Sequence, residues 1–283
     1  MLWLLLALTS AITGGFIGII GKYVLKKHDY ICYAFMWNML SAAFLLPLVL
    51  LNFSFPGTFY EWSLLAIGMC LWLGINITGI KSLQMVEVSL REPVSQTRLL
   101  FILLLSVIFI SETINFSKIA GTILIFSGLS LATYKGGEFF SRLKNKGIQL
   151  ALLSAFLVSV VSIVDKTALK YWAVAPYLFL EFFVPGLVLG TMAFCRRDRL
   201  KEMMKSKYLY VILVTALGAV SSYTLYWAYQ LKEVSVVFPI AQLATLITVI
   251  GGIVLLKERK DISLKILATV IMILGAILIS GYV

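Results

Sequence analysis

The chain has 283 residues, of which 61% are hydrophobic and 13% are charged. Soluble domains carry about 25% charged residues, so this composition excludes a soluble globular protein and predicts an all-α integral membrane protein. The net charge of +11 does not indicate a nucleic-acid partner. The excess positive charge lies between the apolar stretches, where it sets membrane topology and meets anionic lipid.

Ten stretches along the chain are long and apolar enough for a membrane-spanning helix, which needs about 20 mostly apolar residues. They run near 2–23, 31–51, 62–83, 89–110, 119–134, 147–166, 176–194, 208–231, 235–256 and 264–282. Almost no sequence is left for a soluble domain, so we predict one membrane unit. The first stretch has no preceding basic residue and no clear cleavage site, so we predict a retained helix rather than a signal peptide.

The second half of the chain repeats the first. At an offset of 146 residues, Gln84, Glu87, Val88, Ser89, Pro93, Gln96 and Glu112 return as Gln230, Glu233, Val234, Ser235, Pro239, Gln242 and Glu258. Nearer each start the offset is 144, and Lys22 returns as Lys166. A duplicated unit with an odd number of spans produces inverted halves, with a site at the membrane centre. We therefore predict two inverted five-helix repeats, 1–134 and 147–283, joined by a basic linker at 135–146.

Positive residues are concentrated after the first, fifth, seventh and ninth stretches. Sixteen Lys and Arg residues lie in those segments, against four on the opposite face. Because loops rich in Lys and Arg stay in the cytoplasm, this bias alone predicts that the odd-numbered loops are cytoplasmic and that both termini are external.

Pro93 and Pro239 lie at equal positions near the start of the fourth and ninth stretches. A proline in the first turn fits a regular helix start, whereas a deeper proline frees backbone groups and permits a kink. Both interpretations are open from the sequence. The equal positions favour a shared mechanical role.

Residues that would support enzymatic chemistry are scarce. His28 is the single histidine, and Cys32, Cys70 and Cys195 lack the spacing of metal ligands. We therefore predict packing cysteines, no metal site and no enzyme. The sequence has no phosphate-binding loop and no Gly-rich nucleotide motif, so we expect no cofactor and no ATP-driven mechanism on this chain.

Two charged residues lie inside apolar stretches, where an ionisable group needs a partner or a water-filled cavity. Arg98 is a candidate counter-charge for an anionic substrate group. The alternative is a structural ion pair with Glu181, Glu92 or Glu87. Glu181 is a candidate for proton coupling or for binding an amine, because a partly buried carboxylate exchanges protons in a useful range. Its alternative is structural pairing or an interfacial position.

Five more charged residues lie near the ends of the predicted helices: Lys22, Arg91, Glu92, Asp165 and Lys166. Long charged side chains at such positions extend to the membrane interface. We therefore expect this group to anchor helix ends.

Neutral polar and aromatic side chains give the predicted site its character. Aromatic walls with few polar groups suit an amphipathic small molecule, and an amide that faces lipid lacks hydrogen-bond partners. The candidate wall residues are Trp37, Asn38, Asn76, Gln96, Ser222, Tyr223, Tyr226 and Gln242. Together with Arg98 they form the predicted substrate site.

The closing segments of the two halves share a pattern. They read FILLLSVIFISETINFSKIAGTILIFSGLSLATY and LITVIGGIVLLKERKDISLKILATVIMILGAILIS. In each, an apolar helix meets a glutamate (Glu112 or Glu258), a short polar turn and a Gly-containing final helix. With the Ser-Ala-xx-Gly-Gly-Phe opening and Lys22, this pattern resembles the EamA-type, ten-helix members of the drug/metabolite transporter superfamily over nearly the whole chain.

The resemblance implies a secondary transporter with a central cavity between the halves, and such transporters often export amino acids, other metabolites or drugs. Relatives commonly carry an arginine near the position of Trp37, and this chain departs from that pattern. Ten-helix relatives are usually drawn with both termini in the cytoplasm. The resemblance and the loop charges therefore predict opposite orientations.

These features predict a transporter of the prokaryotic plasma membrane that moves a small amphipathic metabolite or drug, such as an amino acid, by alternating access. We expect export or exchange, with a small-molecule substrate, membrane lipids and protons as partners, and self-association is left open. One alternative is a flippase for a lipid-linked sugar or head group. Another is a non-transporting membrane interaction protein, whose core would be packed shut with Arg98 and Glu181 paired.

Overall fold

Twelve α-helices provide the regular secondary structure of the residues that the computed structural model describes, which are 1–51, 54–110, 116–133, 144–256 and 262–280. In chain order they are α1 (Leu2–Leu25), α2 (Tyr30–Leu51), α3 (Phe59–Met85), α4 (Val88–Ser95), α5 (Thr97–Ile110), α6 (Phe116–Thr133), α7 (Lys146–Ala168), α8 (Val174–Phe194), α9 (Arg197–Leu231), α10 (Val234–Ala241), α11 (Ala244–Val254) and α12 (Ile262–Ser280). Most of the predicted linker, Glu112 and Glu258 lie outside the described residues.

Eight segments of the described chain are long and apolar enough to cross a bilayer. Two of them combine short helices, α4 with α5 and α10 with α11. The remaining predicted stretches correspond to α6 and α12, so the count of ten spans stays a prediction. Large apolar side chains cover the outside, where Phe109 is 71% and Leu209 is 77% exposed. Such a surface suits lipid rather than water, and the chain is a multi-pass integral membrane protein.

Helices of the two halves pack against one another in matched pairs. α1 packs along α9, while α7, the repeat of α1, packs along α3, whose repeat is α9. α2 packs against its counterpart α8, and α6 packs against its counterpart α12. The halves are therefore interleaved rather than side by side.

Glycines let α1 lie close to α11. A Cβ atom added to Gly18 would lie 2.6 Å from Cγ2 of Thr248, so only glycine fits there without a shift. The Thr248 hydroxyl donates to the carbonyl of Gly15 over 2.8 Å. This close approach is the packing that small residues at helical spacing provide within membranes.

Lys22 stabilises the end of a neighbouring helix instead of anchoring at the lipid interface as expected. Its side chain is buried, and its Nζ donates to the carbonyls of Leu83 at 2.7 Å and Val86 at 2.6 Å, where α3 ends. The last carbonyls of a helix lack partners within the helix and carry partial negative charge, so an ammonium is favourable there.

Lys166 makes the equivalent contact in the second half. Its Nζ donates to the carbonyls of Tyr229 and Lys232, where α9 ends. These two acceptors follow the acceptors of Lys22 by the 146-residue offset seen in the sequence. Lys166 therefore caps a helix instead of anchoring at the membrane interface as expected.

Two glutamines complete these matched contacts. Gln84 Nε2 donates to the carbonyl of His28 at 2.9 Å, just after α1. Gln230 Nε2 donates to the carbonyl of Trp172 at 3.1 Å, just after α7. Because the same polar contacts tie equivalent helices in both halves, the duplication read from the sequence is also a duplication of structure.

The fourth and ninth predicted stretches are each interrupted at the same place. α4 is separated from α5 at Gln96, and α10 is separated from α11 at Gln242 and Leu243. Pro239 lies inside α10, as Pro93 lies inside α4. Both prolines therefore lie beyond the first turn of their helices, which is the deeper of the two positions left open, and each helix ends within three residues after its proline.

Candidate functional site

A cavity of about 330 Å³ lies between the two halves. Its aromatic wall is formed by Tyr33, Trp37, Trp72, Tyr226, Tyr229 and Phe238. Its polar and charged wall is formed by Asn76, Arg91, Arg98, Ser154, Ser162, Asp165, Ser222 and Gln242. Mainly apolar walls with a few convergent polar groups are typical of a small-molecule site.

Most of the predicted wall residues meet in this cavity. Those that line it are Trp37, Asn76, Arg98, Ser222, Tyr226 and Gln242. The structure places Asn38 behind the wall, where it donates to Asn76. Gln96 lies in a small separate space beside the cavity, and Tyr223 lines a second crevice near the C-terminal end of α2.

The predicted substrate site left out the face that α7 presents to the cavity, although the sequence offered cavity lining as a secondary role for its serines. Ser154, Val158, Ser162 and Asp165 all line it. Their spacing of four, four and three residues places them on one side of a helix. This periodicity is visible in the sequence, but a search for isolated charges overlooks it.

Arg98 lies in the first turn of α5 and faces the cavity. Its Nη2 donates to Oε1 of Gln242, and its guanidinium lies 5.6 Å from the ring centroid of Phe238. Among the described residues Arg98 forms no ion pair with a carboxylate, and its Nε has no acceptor. The structure therefore has a cavity and an unpaired Arg98 where the non-transporting alternative expected a closed core and an Arg98–Glu181 pair.

The side chains of Arg91 and Glu92 face the interior of the bundle rather than its lipid-exposed surface, so they do not extend outward along the helix as expected. Their side chains form an ion pair with each other, and Arg91 lines the cavity. The reason is the position of α4, which packs against α6, α7 and α11 and leaves little of its surface for lipid.

Asp165 is also interior, although we expected an anchor at a helix end. It is 1% exposed and lines the cavity. Two phenols hold its carboxylate: Tyr177 donates to Oδ1 over 2.8 Å and Tyr226 donates to Oδ2 over 2.5 Å. Because α7 packs between α3 and α9, the carboxylate of Asp165 in its last turn faces the interior of the bundle.

Glu181 is 1% exposed and lies behind the cavity wall, next to Asp165. Its Oε2 is 3.0 Å from the Tyr226 hydroxyl, while its Oε1 has no hydrogen-bond partner among the described residues. Tyr226 thus contacts both carboxyl groups. The predicted proton-coupling residue has a neighbouring carboxylate that the sequence did not reveal.

The basic end of the bundle holds its own polar contacts. Asp29 receives hydrogen bonds from Arg196 at 2.7 Å, Arg199 at 2.9 Å and the amide of Ile31 at 2.9 Å. Partial burial opposes ionisation of Asp29, but these donors outweigh it and hold the pKa of its carboxyl below the usual value. Burial also lowers the pKa of His28. Within the described ranges, no three His, Cys, Asp or Glu side chains are grouped as metal ligands.

A polytopic helical bundle with a polar cavity between two duplicated halves is an architecture typical of membrane transporters. The sequence profile of the EamA-like transporter family matches residues 1–134 and 145–281. The chain therefore belongs to the EamA-like transporter family, which confirms the resemblance seen in the sequence.

Two similar proteins bear on the fold and on the class. A protein of Listeria innocua serovar 6a, named as a candidate sugar uptake protein, is 27% identical over 224 residues, covering 74% of this chain and 75% of the relative. A solved crystal structure superposes with a TM-score of 0.66 at 14% identity, covering 98% of this chain and 96% of the other. At that identity the second likeness shows the fold alone.

Proposed function

We propose that this protein is a secondary transporter that moves a small amphipathic metabolite across a prokaryotic plasma membrane by alternating access, as export or exchange. In this proposal ten spans form two inverted repeats, 1–134 and 147–283, with the linker 135–146 between them. The cavity lies between the repeats, so rocking one repeat against the other would change which side it faces.

The contacts of α3 support the inverted arrangement. Gln84, near the C-terminus of α3, donates to the carbonyl of His28. Trp172 is the repeat equivalent of His28, and its Nε1 donates over 3.1 Å to the carbonyl of Glu61 near the N-terminus of α3. Equivalent loops therefore meet opposite ends of one helix, as inverted repeats require.

One observation carries the substrate class: Arg98 and Asp165 face the same cavity. A guanidinium binds a carboxylate well, and a carboxylate flanked by aromatic rings binds an ammonium. The Nε of Arg98 still lacks an acceptor among the described residues. We therefore propose a zwitterion with an apolar part, such as an amino acid, with its carboxylate on Arg98 and its amine on Asp165.

A count of hydrogens supports a role for the carboxyl pair in proton coupling. The Tyr226 hydroxyl has one hydrogen, yet its oxygen lies 2.5 Å from Asp165 and 3.0 Å from Glu181. Both contacts are hydrogen bonds when Tyr226 donates to one carboxyl and accepts from the other. The shorter distance is typical of a hydrogen bond to an ionised carboxylate, which supports our assignment of the charge to Asp165 and of the proton to Glu181.

This arrangement lets a proton and a substrate amine compete for Asp165. Two like charges in one buried site are costly, so the pair keeps one proton, on Glu181, and carries one negative charge, on Asp165. A second proton that enters from water is relayed when Glu181 passes its proton to the Tyr226 oxygen, Tyr226 passes its own proton to Asp165 and the incoming proton replaces the one that Glu181 gave up. Asp165 is neutralised either by this second proton or by the ammonium of the substrate, and binding of the ammonium returns the second proton to water. Competition for one group produces exchange of substrate against protons.

The test is flux into proteoliposomes with a panel of amino acids, amines and sugars, with and without a pH gradient. We expect a zwitterionic substrate to be driven by the gradient. Glu181→Gln should keep substrate binding but lose the stimulation by the gradient, whereas Glu202→Gln, an exposed carboxylate at the basic end, should behave as wild type. Gradient-driven flux that survives Glu181→Gln contradicts the coupling.

Arg98 is tested in the same vesicles. Arg98→Ala should weaken the binding of carboxylate-bearing substrates by about tenfold to a hundredfold, the value of a hydrogen bond to a charged group. Arg199→Ala, an exposed arginine at the basic end, is the matched control. Full activity of Arg98→Ala toward acidic substrates removes it from the site.

Translocation of a labelled lipid without flux of soluble substrates favours the flippase instead.

A neutral sugar is the second candidate. Sugars bind between aromatic faces and side-chain amides, and Trp37, Trp72, Asn76 and Gln242 supply both in this cavity. The similarity to a Listeria innocua protein named for sugar uptake adds weight. Flux of sugars that is indifferent to Arg98→Ala favours this candidate over the zwitterion.

A further inference from the structure

Three aromatic side chains cluster at the end of the bundle that lies away from the basic segment 196–207. We call Phe55, Trp62 and Trp172 the aromatic seal. The Trp62 and Trp172 rings lie 4.9 Å apart edge to face, and Phe55 lies 6.1 Å from Trp62 and 6.0 Å from Trp172. Trp172 is 2% exposed and is held by its hydrogen bond to the carbonyl of Glu61. Edge-to-face contacts of this kind are favourable beyond the area they bury.

Tyr177 joins this seal to the carboxyl pair. Its ring lies 6.0 Å from that of Trp172 and 6.2 Å from that of Tyr226. Its hydroxyl is the donor to Oδ1 of Asp165 at 2.8 Å, and its side chain is fully buried. Trp172 precedes α8 and Tyr177 lies in its first turn, so the two side chains are joined both by their ring contact and by a short stretch of backbone.

Gly68 on α3 allows this contact. A Cβ atom at Gly68 would lie 2.8 Å from the Tyr177 hydroxyl and 3.4 Å from Oε1 of Glu181. The Tyr177 hydroxyl therefore packs against α3 at a point where no larger residue fits without a shift. In a packed interior such a contact is either made or broken, not stretched gradually.

We propose that Tyr177 is a positioning residue that couples the occupancy of Asp165 to the aromatic seal. A proton that Tyr226 delivers to Oδ2 of Asp165 removes the negative charge that strengthens the hydrogen bond from Tyr177 to Oδ1, and an ammonium group competes for Oδ1 directly. Release of the Tyr177 hydroxyl loosens its ring from Trp172, and the cavity opens at this end. This coupling rests on the proposed function, because it makes the state of Asp165 and Glu181 control the side to which the cavity opens.

The surroundings of Asp165 define what acidification changes. The titratable and charged groups that face it across the cavity and from the helices around it are Tyr177 and Glu181 on α8, Tyr226 and Tyr229 on α9, Arg98 on α5 and Arg91 on α4. Tyrosines and arginines keep their protons between about pH 5 and pH 8. Within that window, a pH-dependent opening therefore reports on the two carboxyls.

The experiment measures access to the cavity from each end with a membrane-impermeant thiol reagent. Ser162→Cys places the reporter in the cavity wall, with Cys70→Ser and Cys195→Ser removing the two exposed native thiols. Gly57→Cys, in the loop before α3, marks the seal end in the background that lacks Cys70 and Cys195, and Cys195 in the Cys70→Ser variant marks the basic end. The two markers are labelled in separate vesicle samples that are prepared in the same way. A preparation in which Gly57→Cys reacts and Cys195 does not exposes only the seal end, and dividing the Ser162→Cys rate by the Gly57→Cys rate removes the effect of pH on thiol reactivity.

We expect slow labelling of Ser162→Cys from the seal end at about pH 7.5 and labelling about tenfold faster at about pH 5.5, since loss of one hydrogen bond to a charged group shifts an equilibrium by that factor. Adding Tyr177→Phe should give fast labelling at both pH values. Tyr171→Phe, an exposed ring that contacts Tyr60, should keep the pH dependence. Slow, pH-dependent labelling in Tyr177→Phe overturns the coupling.

Two further measurements separate this inference from the proposed function and from misfolding. Trp172→Leu opens the seal without touching Asp165, so it should label fast at both pH values even if Tyr177→Phe folds poorly. Slow labelling of Trp172→Leu shows that these rings do not form the seal. Flux is measured separately. If labelling depends on pH but no tested substrate is transported, the transport proposal is refuted and the coupling is not. If a substrate is transported but labelling does not depend on pH, only the coupling is refuted.

Discussion

Asn38 on α2 donates a hydrogen bond of 2.8 Å to Asn76 on α3, and Asn76 faces the cavity while Asn38 is buried behind it. The same Nδ2 also donates to the carbonyl of Ala34 over 2.8 Å, so both of its hydrogens are used. Asn38 therefore orients a wall residue from behind and belongs to the site without lining it.

Replacing Asn38 should affect both stability and substrate binding. Asn38→Ala leaves Oδ1 of Asn76 without this donor, and a buried polar group that loses its partner costs about 1–3 kcal/mol. We expect a lower unfolding temperature in detergent and a higher Kd for the substrate, which means weaker binding. Thr224→Ala, which loses bonds only within its own helix, is the control. Equal losses in the two variants would show that Asn38 has no special role.

The two capping lysines make a paired prediction. Lys22→Met removes a donor from the end of α3 and Lys166→Met removes one from the end of α9, and hydrogen bonds from a charged group are worth about 1.5–3 kcal/mol. Both variants should unfold at lower temperature than wild type, with the larger loss for the more buried Lys22. Lys27→Met, exposed in the loop after α1, should leave the unfolding temperature unchanged; a loss there as large as in Lys22→Met refutes specific capping.

Gly68 should tolerate no side chain. Gly68→Ala places a methyl group 2.8 Å from the Tyr177 hydroxyl, and because that ring is fully buried the clash moves it away from Asp165. We expect Gly68→Ala to lose most of its flux while the protein still reaches the membrane. Gly57→Ala has nothing within 4 Å of the added methyl and should transport normally. Wild-type flux in Gly68→Ala means that the hydroxyl position is not needed.

The contacts of Asp29 predict a pH dependence of stability at the basic end. A carboxyl whose pKa is lowered by folding stabilises the fold above its ordinary pKa, near 4, and that contribution is lost as the pH falls through the lowered value. The difference in unfolding temperature between wild type and Asp29→Asn should therefore be present at neutral pH and shrink in acid. A difference that stays constant from neutral pH to about pH 3 would mean that the ionised form of Asp29 is not what stabilises this end.

Much of the architecture could be read from the sequence because lipid offers no hydrogen bonds, so a segment that spans it must be long, apolar and helical. Long apolar stretches, the 146-residue repeat and the paired prolines survive in the sequence as patterns, and the helices and their breaks follow them. The wall residues Trp37, Asn76 and Gln242 were also within reach, since polar groups in such stretches avoid lipid.

The roles of individual charges were not within reach. Asp165 and Lys166 are neighbours near the end of α7, and from the sequence we predicted the same anchoring role for both. In the structure Asp165 faces the cavity, whereas Lys166 caps α9. Their directions differ by the rotation of one residue about the helix axis. Which helix lies on each side is a matter of tertiary packing.

The sequence by itself determined a duplicated helical membrane protein of the EamA-like family, because hydrophobic length and repetition are properties of the chain. Only the tertiary structure decided that Tyr226 joins Asp165 to Glu181, because these residues lie on three different helices and approach one another through packing alone. A charge within a membrane acquires its meaning from the groups that surround it, and those groups are distant in the chain.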